Sequence, residues 1–296
     1  MVQKLPQPLI DLYNTYIHGG MTRREFMEGV EKFAVGGLTV AVITDALMPN
    51  YARGEVVPKN DPRLKIETIT VPSPAGNGNI KGQFARPASA GANTKLPGIL
   101  VVHENRGLNP HIEDIGRRFA LEGFNTFAPD GLTSVGGYPG DEDQGQAKFR
   151  EVNGAKMEED MLASAIWLKN RSDGNGKVGV TGFCYGGGVA NNLAVRMGAD
   201  LAAAVPFYGR MPTNPADIAK IKAALLVHHG SLDTNLAPAW PAYDAALKAA
   251  GVTHEGYVYE GAVHGFNNDA TAQRYNEAAS KLAMQRTIAW FKKYLA

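Results

Sequence analysis

The stretch Lys177-Val178-Gly179-Val180-Thr181-Gly182-Phe183-Cys184-Tyr185-Gly186-Gly187-Gly188 decides how this chain is read. An apolar run ends in a turn that carries a glycine two positions on either side of a cysteine. A helix-forming segment, Tyr185 to Met197, follows at once. The pattern is G-x-S-x-G with cysteine in place of serine. Its glycines have a steric reason: a nucleophile lifted on a sharp strand-to-helix turn presses backbone against positions 182 and 186, where a side chain would collide. The turn sets the sulfur at a helix N-terminus, whose partial positive charge favours thiolate. It also aims the Tyr185 amide at a developing oxyanion. A dinucleotide-binding loop would need glycine where Cys184 stands, and a P-loop would need Gly-Lys-Ser/Thr after its glycines. The plain alternative is a small buried hydrophobe, so the context has to decide.

Outward from this turn, strands and helices alternate. Strand patterns cover Lys65–Val71, Ile80–Arg86, Pro97–His103, Phe124–Ala128, Leu201–Tyr208, Ala223–His229 and His254–Tyr259. Helical spacing covers Pro110–Glu122, Ala155–Asn170, Trp240–Ala250 and a final run from about Arg274 to Leu295. Pro97–His103 is continuously apolar, as in a parallel strand buried on both faces. Residues 131–149, rich in Gly, Asp and Gln, read as a surface excursion. Alternation of this kind predicts an α/β fold with a mostly parallel sheet and helices on both faces, the α/β-hydrolase arrangement, over residues 61–296. In such sheets the site lies beyond the carboxyl ends of the strands. Four of those ends carry reactive side chains: His103-Glu104, Cys184, Asp233 and His264.

Residues 1–60 are expected to form an N-terminal helical extension, with a Pro-, Gly- and charge-rich linker at 49–63. Arg23-Arg24 before an apolar run resembles a twin-arginine export signal over 22–48. Asp45 interrupts that run, and no A-x-A cleavage site follows. The reading preferred here is a retained helix packing its apolar face on the main domain. A cytoplasmic location follows from it, and a periplasmic one from the export alternative. The run is too short for a stable membrane span. The 296 residues are 44% hydrophobic with formal charge +1, enough for one large core and without a basic stripe for nucleic acid. The single cysteine cannot form an internal disulfide or by itself build a metal site, and His103-Glu104-Asn105-Arg106-Gly107 is not H-E-x-x-H, so no zinc site is expected.

The order nucleophile, acid, histidine matches this fold. Asp233 follows Ala223–His229 in a Gly-x-x-Asp loop, and His264 follows His254–Tyr259 in Gly-Ala-Val-His-Gly-Phe. Either residue alone reads as well as a turn aspartate or a loop histidine. Together, behind the elbow, they read as a triad. Glu104 ends a buried strand, and Asn105 begins the loop that supplies the second oxyanion amide. His228 and His229 lack a partner set and read as structural.

These motifs resemble the dienelactone hydrolase (carboxymethylenebutenolidase) family over about residues 65–295. The resemblance rests on V-G-V-T-G-F-C-Y-G-G-G, the glutamate after the third strand, the G-x-x-D loop and G-x-x-H-G-F. It implies an ester or lactone hydrolase acting on a small molecule without metal or cofactor. Cys184 would be the nucleophile, His264 the base, Asp233 its orienting acid and Glu104 the partner of the resting thiol. Muconate-processing members carry an arginine where this chain has Asn268. Arg150 is the counterpart suggested for a second substrate-binding arginine. A thioesterase or acylpeptide hydrolase on the same fold, and a non-catalytic sensor on a hydrolase scaffold, are the alternatives. Oligomeric state is not legible.

Overall fold

The computed structural model describes residues 5–35, 38–91 and 93–296. Its eight strands are β1 Leu64–Ser73, β2 Gly78–Pro87, β3 Leu96–Val102, β4 Asn125–Pro129, β5 Gly174–Phe183, β6 Ala203–Phe207, β7 Ala224–Gly230 and β8 His254–Tyr259. They form one sheet in the order β1-β2-β4-β3-β5-β6-β7-β8. The β1–β2 and β2–β4 pairs are antiparallel and every other neighbouring pair is parallel, so β2 alone runs against the rest.

The period-2 alternation of strand side chains divides the core into two layers. On β3, Leu100 and Val102 join Met157, Met161, Val189 and Leu193 on one face of the sheet. Ile99 and Val101 join Ile115, Phe119, Trp290 and Phe291 on the other. The helices concerned, with those before them, are α1 Gln7–Ile17, α2 Arg23–Glu31, α3 Val40–Leu47, α4 Tyr51–Gly54, α5 Pro110–Leu121, α6 Glu142–Glu151, α7 Gly154–Lys169, α8 Tyr185–Met197, α9 Pro215–Ile218, α10 Trp240–Ala249 and α11 Glu277–Leu295. Helices α5 and α11 cover one face, while α7, α8 and α10 cover the other.

Three local expectations change. The excursion at 131–149 contains α6, which begins where the Asp141 side chain accepts the Gln144 N–H. Its sequence, EDQGQAKFRE, has too few apolar residues to show helical spacing. The last helix starts at Glu277, capped by Asn276, which leaves Arg274 in a buried loop. The segment 22–48 forms α2 and α3 rather than one helix. Their apolar faces meet one another and α1, through Leu9, Tyr13, Phe26, Val30, Ile43 and Leu47. No helix among the described residues is long and apolar enough to cross a membrane.

Polar contacts tie this N-terminal unit to the body. The Ile17 carbonyl at the end of α1 accepts from Asn105 Nδ2 at 2.7 Å and from Gln146 Nε2 at 2.9 Å. Tyr16 Oη donates to Asp143 at 2.6 Å, and Tyr51 donates to Glu142. The linker is pinned by the Asp114 carboxylate, which accepts the Val56 and Val57 N–H groups at 2.9 and 2.8 Å. Gln146→Ala removes one buried donor from Ile17, a loss worth about 1 kcal/mol. Limited proteolysis within residues 5–35 is therefore expected to quicken about fivefold, with the body unaffected. Cleavage at the wild-type rate would show that α1 is held elsewhere.

Candidate active site

Strand β5 delivers Cys184 to the carboxyl edge of the sheet at φ +55° and ψ −110°, a conformation that L residues rarely adopt. Two glycines make the turn possible. A Cβ on Gly182 would stand 2.2 Å from the Gly186 carbonyl oxygen, and one on Gly186 would stand 2.3 Å from that of Val102. The Cys184 N–H is bonded to the Phe207 carbonyl at 3.1 Å and its carbonyl accepts the Gly188 N–H at 3.1 Å, so both ends of the turn are fixed.

Asp233 lies just beyond β7. One oxygen accepts the Asn235 and Leu236 N–H groups at 3.2 and 3.1 Å, and the other meets His264 Nδ1 at 2.7 Å. Because a carboxylate accepts, Nδ1 carries the proton and Nε2 faces the sulfur side. Burial pushes the Asp233 carboxyl up, but His264 and the two backbone donors outweigh it and hold the group below its usual range. Burial likewise raises the Cys184 thiol, yet the neighbouring His264 and a bond to His18 bring it down to about 6. Burial depresses His264, but the sulfur and Asp233 lift it to about 10. Cys184 and His264 therefore stand as thiolate and imidazolium between those limits.

His18, at the end of α1, was not among the expected site residues. Its Nε2 lies 3.4 Å from Cys184 Sγ and 3.2 Å from His264 Nε2. Its Nδ1 lies 2.6 Å from the Asn14 carbonyl oxygen, so that nitrogen too is the protonated one. Nothing local in His18-Gly19-Gly20 signals this role, because the contact spans 166 residues of chain.

The remaining candidates separate. Glu104 is buried and accepts Asn268 Nδ2 at 3.2 Å. It lines a small inner pocket with Cys184, His264 and Arg274. The Tyr185 and Asn105 N–H groups have no hydrogen-bond partner among the described residues. Arg150 is exposed beside Gly19 and lines neither the inner pocket nor the main cleft. His228 is bonded to Thr287 and Tyr259, as a core histidine would be. The main cleft, about 1180 Å3, opens in front of Cys184 between Tyr185, Tyr208, Arg210, Leu236 and His18.

The profile of the Dienelactone hydrolase family matches residues 80–295, and a separate profile described as YqhI-like matches residues 2–32. An Escherichia coli K12 chain provisionally named the hydrolase fragment YghX is 47% identical over 116 residues, which is 39% of this chain and 97% of that one. A Salmonella typhimurium protein provisionally named a carboxymethylenebutenolidase is 33% identical over 75% of this chain and 85% of its own. The crystal structure of a provisionally named dienelactone hydrolase from Klebsiella pneumoniae superposes with a TM-score of 0.67 at 30% identity, covering 78% of this chain and all of that one.

Gly186→Ala should destabilise the fold by roughly 1–3 kcal/mol, because the new methyl group meets backbone and not a yielding side chain. An unchanged thermal unfolding midpoint would show that the turn can relax. Alkylation of Cys184 by iodoacetamide should reach half its maximal rate near pH 6. In His264→Ala the midpoint should move up towards the ordinary thiol value of about 8.5. A wild-type midpoint already at the ordinary value would remove the ion pair.

Proposed function

The chain belongs to the dienelactone hydrolase family, a family of hydrolases, and from that premise we propose that it cleaves esters or lactones by acyl transfer through Cys184. The observation that carries this reading is His264. It is bonded through Nδ1 to Asp233, and a nitrogen of its ring lies within 4.8 Å of the sulfur of a cysteine held at positive φ.

The thiolate adds to the substrate carbonyl carbon and forms a C–S bond. The carbonyl oxygen takes the negative charge, met by the Tyr185 and Asn105 amides, each worth roughly 3 kcal/mol in the transition state. The C–O bond to the leaving alkoxide then breaks as His264 Nε2 protonates that oxygen. For a lactone the alcohol stays attached to the acyl chain. In the second stage, His264 takes a proton from water, whose oxygen adds to the thioester, and the sulfur leaves as thiolate. The sum is ester plus water to acid plus alcohol. Asp233 keeps the proton on Nδ1, so that Nε2 is the nitrogen that exchanges it. Glu104 borders the thiol from the inner pocket.

A panel of aryl esters, alkyl esters and five- and six-membered lactones should include substrates turned over by the wild type. Cys184→Ala should lose about 10³-fold or more in kcat/KM, with circular dichroism unchanged. Cys184→Ser should recover little, since a hydroxyl is far harder to ionise. If Cys184→Ala kept most of the activity, the nucleophile would be another group.

A further inference from the structure

The three groups that meet at the mouth of the cleft form an arrangement that acyl transfer alone does not require. Sγ of Cys184 and one nitrogen each of His18 and His264 lie within 4.8 Å of one another. Both histidines have Nδ1 committed to an oxygen, the Asn14 carbonyl in one and the Asp233 carboxylate in the other. Neutral rings so bonded present the Nε2 lone pair. The two Nε2 atoms face each other at 3.2 Å; with His264 as imidazolium they share its proton, and with that proton gone both lone pairs are free to hold a cation. The rings are nearly perpendicular, with centroids 4.6 Å apart.

We infer that His18, Cys184 and His264 form a binding site for a zinc-type divalent cation, which holds the sulfur and both Nε2 atoms and closes the N-terminal segment onto the body. A tetrahedral ion with metal–sulfur and metal–nitrogen bonds of about 2.3 and 2.0–2.1 Å separates two nitrogens by about 3.3 Å and sulfur from nitrogen by about 3.6 Å. The values here are 3.2 Å between the imidazoles and 3.4 Å from sulfur to His18, with sulfur and the His264 nitrogen within 4.8 Å, so His264 moves inward as the ion binds. Thiolate with two imidazoles selects zinc over magnesium or calcium, which take oxygen ligands. Oxygen acceptors on both Nδ1 atoms are the outer-shell arrangement that fixes the tautomer and orientation of metal-bound histidines. Water from the cleft supplies the fourth ligand. The Cys184–His264 pair carries one proton between sulfur and Nε2. Metal binding forms three bonds to the ion and releases that proton to solvent. The sulfur and the base are then both occupied, so the ion and acyl transfer exclude one another.

Binding stands on the ligand geometry, whereas inhibition of turnover rests on the hydrolase reading, and one experiment separates the two. The full chain is stripped with chelator, exchanged into chelator-free buffer and titrated with Co2+ by absorption and with Zn2+ by calorimetry, using Mg2+ as control. Esterase turnover is measured on the same samples. The expected result is one equivalent of Zn2+, a thiolate-to-cobalt charge-transfer band, and at least tenfold loss of turnover that chelator restores. His18→Ala and Cys184→Ser should each weaken Zn2+ binding by tenfold or more. His18→Gln, which keeps bulk and hydrogen bonding, guards against a loss caused only by undocking of α1, and it should weaken binding equally. Turnover without the cobalt band, or Zn2+ binding that survives both His18→Ala and Cys184→Ser, would overturn the site and mark the ion as adventitious. The band without any turnover in the stripped enzyme would support the site and overturn the hydrolase reading instead.

Discussion

The site depends on the backbone of Cys184. A residue held at φ +55° costs about 1–3 kcal/mol and persists only where its surroundings over-determine it. Here they do so through close backbone approach. Gly182 lies against Gly186, Gly186 against Val102 and His103, and Gly187 against Phe207. Strands β3 and β6, the neighbours of β5 in the sheet, thus form the walls that hold the turn. The sulfur is carried above the sheet edge, the helix N–H groups of α8 are left facing it, and the loops after β7 and β8 can reach it from the side.

The N-terminal unit is built on a different principle. Its apolar faces are spent on one another, and it docks through a carbonyl at a helix end. The last carbonyls of an α-helix lack intrahelical donors. That of Ile17 is satisfied by Asn105 and Gln146, with the Arg106 guanidinium at 3.4 Å. Asn105 belongs to the loop after β3, whose amide is also the second oxyanion donor in the proposed mechanism. The contact that seats α1 therefore also orders part of the site, and the residue that follows α1 is His18. Polar docking of this kind opens at lower cost than the closing of an apolar interface.

Much of this was legible in the sequence, and the failures have physical causes. The Cys184 turn, the strand ends at Glu104, Asp233 and His264 and the doubly covered sheet follow from local patterns: alternation, glycine spacing and an apolar run. Each of those signals lies within about ten residues. Helix α6 escaped because its stability comes from the Asp141 cap and from contacts to Tyr51 and Ile17 rather than from an apolar stripe. His18 escaped because nothing near it records a partner 166 residues away. It lies within the YqhI-like match at 2–32, outside the dienelactone hydrolase match at 80–295.

Asn268 shows how the inner pocket differs from the arrangement that the motifs alone imply. With arginine at that position, a cation would stand against Glu104. With asparagine, Glu104 receives a neutral amide at 3.2 Å, and the positive charge nearby comes from Arg274, buried in the loop before α11. The guanidinium is roofed by the Tyr13 ring, 5.4 Å from the ring centroid, and the pocket is closed on that side by Tyr13 and Ile17. A buried carboxylate needs a partner of opposite charge or several donors, and here it has an amide and a neighbouring cation. The pocket beside Glu104 is small, about 20 Å3, with Tyr13 and Ile17 of α1 among its walls. In the proposed mechanism the sulfur is reached from the main cleft, which Arg210 and residues of α8 line. Because α1 carries both the roof of the inner pocket and His18, its seating sets which side of Cys184 is open.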